Sequence, residues 1–285
     1  MATGLYYCRS KNFGDALNPL IFERVLGVPM RYAKKRDAEL CGIGSILDNL
    51  MASPSVINRM IRAYLPPIHV FTSGFTFPEQ KPHACPIRKM VVHAVRGKQT
   101  RQQLVNLGIL AAGQTVAYGD AALFAPFLLE RDVPKKHFCG IIPHISERDC
   151  AEVEVLSKAL VHSVVIDFEQ PPLEVLEKLA SCEVIVASAL HGLIVADALG
   201  IPNIWMKVSD RIIGGRYKFD DYYSAYADYK KEPVAVYDVA YSSSQYACLD
   251  AKTRTAVQAG LRQAFSGWLN GSSNQTKIRE WKKEQ

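Results

Sequence analysis

The residues whose types and spacing suit chemistry fall at the ends of predicted strands. His191 sits in SCEVIVASALHGLIVADALGIP (181–202), where an apolar strand, EVIVAS, runs directly into a helix closed by Gly200 and followed by Pro202. A histidine in the first turn of a helix lies in a field that disfavours the imidazolium and accommodates a bound anion. Ser188 can cap this helix, and Gly192 lets another group approach its first turn closely. Much earlier, Asn12-Phe-Gly-Asp-Ala-Leu-Asn-Pro follows the first strand. There Gly14 permits a tight turn, and Asn12 and Asp15 bring polar groups to a helix start, where exposed amides bind anions. Asp15 itself would repel an anion and better suits a hydroxyl ligand or general-base work. Arg96-Gly-Lys-Gln-Thr follows another strand, and a guanidinium there can hold a carboxylate or phosphate in a forked pair of bonds. His144 ends a further strand and faces either a cleft or solvent. Each group also has an ordinary reading: a helix cap for Asp15 or Asn18, an ion pair with a neighbouring acid for Arg96, a packed structural residue for His191.

The elements that must position these groups follow an alternating pattern. Strands are predicted at 4–8, 39–44, 69–74, 90–95 and 115–120, and a second series at 138–144, 163–168, 183–188 and 203–207. Several are continuous apolar runs, as expected of parallel strands covered on both faces. Between them lie helical patterns: one capped by Asn18 with Pro19 in its first turn, one at 146–160 opened by Ser-x-x-Asp, and one at 171–182 opened by prolines. The expected fold class is therefore α/β with parallel sheets. Prolines and charges at 130–137 separate the two strand series, giving an N-terminal domain at 1–132, a C-terminal domain at 133–250, and a C-terminal helix and basic tail at 251–285. The helical pattern at 250–269 is expected to pack back across the first domain.

Composition narrows the function classes. The 285 residues carry a net charge of +6, which suits anionic ligands but is modest for a nucleic-acid binder, so no nucleic-acid partner is expected. No uninterrupted apolar run reaches the length of a membrane span, and charges at Arg9, Lys11 and Asp15 interrupt the start before a signal peptide can form. The expected location is the cytoplasm. The seven cysteines have no CxxC pair and no Cys/His ligand spacing, so neither a disulfide framework nor a metal site is expected. The tail TKIREWKKEQ reads as a solvated end rather than a membrane or RNA contact.

Taken together, the segments resemble the polysaccharide pyruvyltransferase family. The similarity rests on N-x-G-D-x-L-N-P (Asn12–Pro19), G-I-G-S (Gly42–Ser45), R-G-x-x-T (Arg96–Thr100) and Y-G-D-A-A-L-x-x-P (Tyr118–Pro126). It continues through Pro143-His144, S-x-L-H-G-L-I-x-A-D-A-L-G-I-P (Ser188–Pro202) and K-F-x-D-Y-Y (Lys218–Tyr223). The resemblance implies two Rossmann-like domains facing each other across a cleft, similar to GT-B glycosyltransferases. It implies transfer of a pyruvyl group from phosphoenolpyruvate to a sugar of an exopolysaccharide, capsule or cell-wall glycan precursor, with a pyruvate ketal as product. Phosphoenolpyruvate is then the donor substrate, and no cofactor is implied. The acceptor is a sugar or a lipid-linked oligosaccharide, which allows peripheral contact with the inner membrane face. By the same resemblance His191 acts as general acid or protonates the leaving phosphate, Arg96 clamps the donor, and Asp15 orients or deprotonates an acceptor hydroxyl. Asn12, Gly14, Ser45, His144, Ser188, Leu190, Gly192, Lys218 and Tyr222 line the substrate site, with Phe219, Tyr222 and Tyr223 offering flat surfaces to a sugar ring. Some family members carry an arginine two residues before the motif histidine. Here that residue is Ala189, so donor binding needs Arg96 together with another cation from Arg9, Lys11, Arg216 or Lys218. Two other readings are a glycosyltransferase of the same architecture that uses a nucleotide sugar, and an inactive carbohydrate-binding homologue.

Overall fold

The computed structural model describes residues 2–271 except 53, 54, 56–59, 61, 62, 81–83 and 241–245, so the basic tail lies outside the described residues. Along the chain the first half contains β1 (Thr3–Tyr6), α1 (Phe13–Leu20), β2 (Met30–Tyr32), β3 (Leu40–Cys41), β4 (Met51–Ala52), β5 (Ile68–Phe71), β6 (Cys85–Pro86), β7 (Met90–Val95), α2 (Lys98–Asn106) and β8 (Ala117–Tyr118). A 3₁₀ segment, Ala121–Leu128, leads into the second half. There follow β9 (His137–Ile142), α3 (Ala151–Ala159), β10 (Ser163–Val165), α4 (Pro172–Ala180), β11 (Cys182–Ala187), α5 (Leu190–Leu199), β12 (Asn203–Lys207), α6 (Tyr217–Ser224), β13 (Val234–Ala235) and α7 (Ala251–Leu269).

The expected α/β class with parallel sheets is what forms. One sheet has the order β2-β1-β3-β5-β7-β8 and the other β10-β9-β11-β12-β13, and within each every neighbouring pair is parallel. Strands β4 and β6 form a separate antiparallel ribbon. The edge strands β2 and β13 have no counterpart in the predicted strand series. Met30–Tyr32 is half-exposed to exposed along its length, so it lacks the apolar run that marks the central strands.

Two helix starts differ from expectation. α1 begins at Phe13, with Asn12 as its cap accepting from the Gly14 amide at 3.0 Å; Asn18 and Pro19 lie inside the helix. Pro19 has no N–H to offer the Asp15 carbonyl, and the Asn18 side-chain amide donates to that carbonyl instead, at 3.1 Å. Asn18 also exchanges bonds with Ile43, donating to its carbonyl and accepting from its amide at 2.7 Å, so it pins the helix to the loop after β3. The second difference is α3, which starts at Ala151 behind Cys150 without a side-chain cap. The Ser146-x-x-Asp149 pattern belongs to a turn, within which Glu147 is fully buried and accepts from the Ser209 amide and hydroxyl.

The largest apolar core joins the two halves. Phe13, Leu17 and Ile21 of the first segment pack in one cluster with Phe124, Phe168, Leu176, Leu193 and Ile194. Phe13 lies 4.8 Å from Phe168 between ring centroids, and its amide donates to the Phe168 carbonyl at 2.8 Å. Each such buried side chain contributes about 1.5–3 kcal/mol, so the position of α1 against the second half is strongly held. The C-terminal helix α7 packs back on β7, β8 and Ala121–Leu128, with Phe265 against Phe22 and Phe71.

Candidate functional site

The carboxyl ends of the strands in both sheets converge on a cavity of about 450 Å³. Cys8 follows β1, Gly44, Ser45 and Ile46 follow β3, and Thr76 follows β5; from the other sheet come His144, Ile145 and Ser146 after β9, Phe168 after β10, and Ala189, Leu190 and His191 after β11. Asn12 and Asp15 enter from α1, Lys218 from the first turn of α6, and Arg211 and Ile213 from the loop before it. Parallel sheets leave their strand-end loops free to carry ligand groups. Here that geometry gathers Asn12, Asp15, Ser45, His144, Leu190, His191 and Lys218.

Gly14 and His191 form a close junction at the cavity. A Cβ on Gly14 would come within 2.0 Å of His191 Nδ1, so only the absence of a side chain lets the imidazole lie on α1. The strand-end segment of one half thus holds the helix start of the other. His191 is only 16 % exposed, and its Nε2 lies 3.9 Å from Asp120 Oδ2. Burial, with the positive charges of Arg96 and Lys218, brings the His191 pKa down to about 3, so the ring is neutral in the free protein at neutral pH.

Three further groups have shifted titrations. Burial raises the Asp15 carboxyl to about 6, against a hydrogen bond from Ser10 and the attraction of Lys218. Burial also lowers Lys218 to about 8, helped by Arg96 and opposed by Glu147 and Asp15. His144 is brought down to about 4 by burial and by Lys218, whose Nζ is 3.4 Å from its Nε2. His144 is otherwise set by Ser146, 2.8 Å from Nδ1. Among the described residues no carboxylate lies within ion-pair distance of Lys218. A partly desolvated ammonium of this kind has donors that suit an anion. A group of three or more His, Cys, Asp or Glu side chains able to hold a metal ion does not form among the described residues.

Several expected site residues have other work. Arg96 is 1 % exposed and its fork is occupied: Nε donates to Asp221 at 2.9 Å, Nη2 to the Phe75 carbonyl at 2.8 Å, and Nη1 to Ser45 Oγ. It therefore stands behind Ser45 as a cross-link between β7 and α6 rather than clamping a donor directly. Asp221 completes that link by accepting from the Thr100 amide and hydroxyl at 2.8 and 2.7 Å. Tyr222 is fully buried and donates to Asp197 at 2.9 Å, and Phe219 and Tyr223 are buried with it, so none offers a ring to a sugar. They pack on one another, on Tyr226 and Tyr229, and on Trp205, which stacks on Phe219 at 4.4 Å. Ser188 does not cap α5, whose N-cap is Ala189; its hydroxyl accepts from the His144 amide at 2.9 Å and so orients that histidine's peptide. Gly192 admits structure, not ligand: a Cβ there would meet Ala187 and Ile142 at 3.0 and 3.2 Å. Among the four candidate second cations, Lys218 alone lines the cavity; Arg216 is paired with Asp220 and Glu232. Asp120, Asp221 and Glu147 were not singled out by type or spacing, although Asp120 and Asp221 stand inside segments that carried the resemblance.

Residues 87–210 match the family model described as polysaccharide pyruvyl transferase, the family that the motifs resemble. The matched stretch includes Arg96, Asp120, His144 and His191, while Asp15 and Lys218 lie outside it. An uncharacterized protein of Acanthamoeba polyphaga mimivirus is 29% identical over 147 residues, covering 49% of this chain and 50% of that protein. The matched stretch thus spans about half the length of this relative. Among the described residues no helix is long and apolar enough to cross a membrane.

Proposed function

With residues 87–210 matching the polysaccharide pyruvyl transferase family, we propose that the protein transfers a pyruvyl group from phosphoenolpyruvate to two hydroxyls of a sugar. The product is a pyruvate ketal on a glycan precursor, released with inorganic phosphate. The observation that carries this reading is Lys218, a cation without a carboxylate partner among the described residues, 3.4 Å from His144 on the same cavity as His191 and Asp15. A cation beside proton-carrying groups is the combination that a phosphorylated enol donor needs, which supports the reading. Two parallel α/β halves whose strand ends share one cavity support a GT-B-like scaffold, divided near residue 132.

In the proposed reaction the donor carboxylate or phosphate binds Lys218, with His144 beside it. The donor methylene gains a proton and becomes a methyl group, leaving an oxocarbenium-like carbon. One sugar hydroxyl attacks that carbon, the C–O bond to phosphate breaks, and the second hydroxyl closes the ketal. Of the two hydroxyl protons, one balances the new methyl group and the other leaves on phosphate. Asp15, with its carboxyl near pH 6, accepts the proton of an acceptor hydroxyl. His191 is neutral in the free site, so it takes the proton of the other acceptor hydroxyl and passes it to the donor methylene or to the leaving phosphate. Arg96 contributes through the position of Ser45 and through its field.

Purified protein incubated with phosphoenolpyruvate and candidate acceptors is expected to release phosphate as the acceptor mass rises by one pyruvate ketal. His191→Ala is expected to lower turnover about 10³-fold with the fold retained. Hexose transfer from a nucleotide sugar, with phosphoenolpyruvate inert, would reject the reading.

A further inference from the structure

Asp120 stands at the start of the 3₁₀ segment Ala121–Leu128, completely buried. One of its carboxylate oxygens, Oδ1, accepts from the Ala122 amide at 2.8 Å, as an N-cap residue does. The other, Oδ2, is buried without a hydrogen-bond partner among the described residues, and so is His191 Nε2. These two atoms face each other across 3.9 Å. A buried polar atom without a partner costs about 1–3 kcal/mol, and folded proteins leave few of them. Two complementary ones, a carboxylate oxygen and an imidazole nitrogen, are opposed here at the wall of the cavity.

We propose that Asp120 is the positioning residue of His191, accepting Nε2–H at its Oδ2 and so presenting the Nδ1 lone pair to the cavity. This rests on the reading of His191 as the proton carrier of the transfer reaction. Ring orientation supports it, because Nδ1 lies on the Gly14 side, next to the α1 residues that line the cavity. The pairing is tightest when His191 is charged. As an acceptor O–H bond breaks, its electron pair stays on oxygen and its proton moves to Nδ1. The Nε2 proton stays between ring and carboxylate, and Asp120 offsets the new positive charge. Arg96 and Lys218 oppose that charge on His191, while Asp221 adds its negative charge at Asp120, and Asp15 faces the same cavity. Burial holds the Asp120 carboxyl up at about 6, which leaves it mostly ionised at neutral pH beside a neutral ring.

The test uses ¹⁵N NMR of the histidine rings in the full chain, with the His191 signals assigned by their loss in His191→Gln. In the wild type the expected ring carries its proton on Nε2. Asp120→Asn keeps a capping oxygen and the side-chain volume but turns a donor toward Nε2, and the ring proton is expected to move to Nδ1. In the same variant kcat for phosphate release is expected to fall about 10²–10⁴-fold with KM for phosphoenolpyruvate nearly unchanged, and Asp120→Glu is expected to restore part of it. A wild-type ring protonated on Nδ1 would overturn the proposal whether or not the variant folds, and so would an Asp120→Asn enzyme of normal kcat. If the wild type does not turn over phosphoenolpyruvate, the functional reading fails, while the ring spectra still decide the pair.

Discussion

Helix α5 joins two buried polar regions of opposite character. Near its C-terminal end, Asp197 accepts from Tyr222 at 2.9 Å, Tyr229 at 2.6 Å, Asn203 at 2.8 Å and the Leu249 amide at 3.2 Å. Lys231 is buried alongside, its Nζ donating to Asn203 Oδ1 at 2.9 Å and to the Ala247 carbonyl at 2.7 Å. At the N-terminal end, His191 and Asp120 each leave a polar atom without a partner, and Lys218 has no counter-ion among the described residues. The first region meets its carboxylate with four hydrogen bonds, although the Tyr223 and Tyr226 hydroxyls packed beside it are without a partner among the described residues. The second leaves its bonding capacity open toward a cavity. A low-dielectric interior makes both arrangements consequential: satisfied networks rigidify, and open ones bind.

Asp197→Ala removes the acceptor of four hydrogen bonds and is expected to destabilise the fold by about 3–5 kcal/mol in chemical denaturation. A loss below about 1 kcal/mol would show that the network is not what holds α6 and the C-terminal segments on α5. Lys218→Met should leave stability unchanged or slightly raised, while KM for phosphoenolpyruvate rises about 10²-fold, equivalent to about 2.7 kcal/mol. The wild-type kcat/KM should rise with pH as Asp15 ionises near 6 and fall as Lys218 loses its proton near 8. Lys218→Arg should move the alkaline limb upward, and an unmoved limb would assign it to another group.

The smallest effect sharpens the contrast. The Asp15 carboxyl is raised from 3.8 to about 6 on folding, so the folded state holds the proton more tightly and ionisation costs stability. That cost is absent below pH 3.8 and fully present above pH 6. Asp15→Asn is therefore expected to stabilise the protein by about 1–2 kcal/mol at pH 8, with the gain vanishing at low pH, while turnover falls. Denaturant melts at the two pH values measure the difference; an equal effect at both would show that Asp15 carries no such burden.

Much of the scaffold follows from local sequence. EVIVAS followed by LHGLIVADALG, closed by Gly200 at φ 69°, encodes a buried strand and its helix from composition and chain stiffness alone. The same holds for MVVHAV and for the alternation of strands with helices, because buried parallel strands need continuous apolar runs. The strand-end segments that carry the cavity groups, and the family they resemble, were legible for the same reason. The cap of α1 was less legible: Asn12, not Asn18, opens the helix, since asparagines six positions apart satisfy the same local pattern and tertiary contacts with Ile43 decide between them.

What sequence alone could not determine is which of those strand-end groups meet, and which are already taken. Arg96 and Asp221 are separated by 125 positions, and only the packing of α6 against α2 shows that the arginine is spent on that partner. The aromatic run of α6 has the composition of a sugar platform, yet its faces are turned into the core around Asp197. Lys218, on the same helix, reaches the cavity beside a histidine 74 positions earlier. Residue type and spacing set what each group can do; desolvation and partners at a few ångströms set whether it is free to do it, and those come only from chain segments distant in sequence.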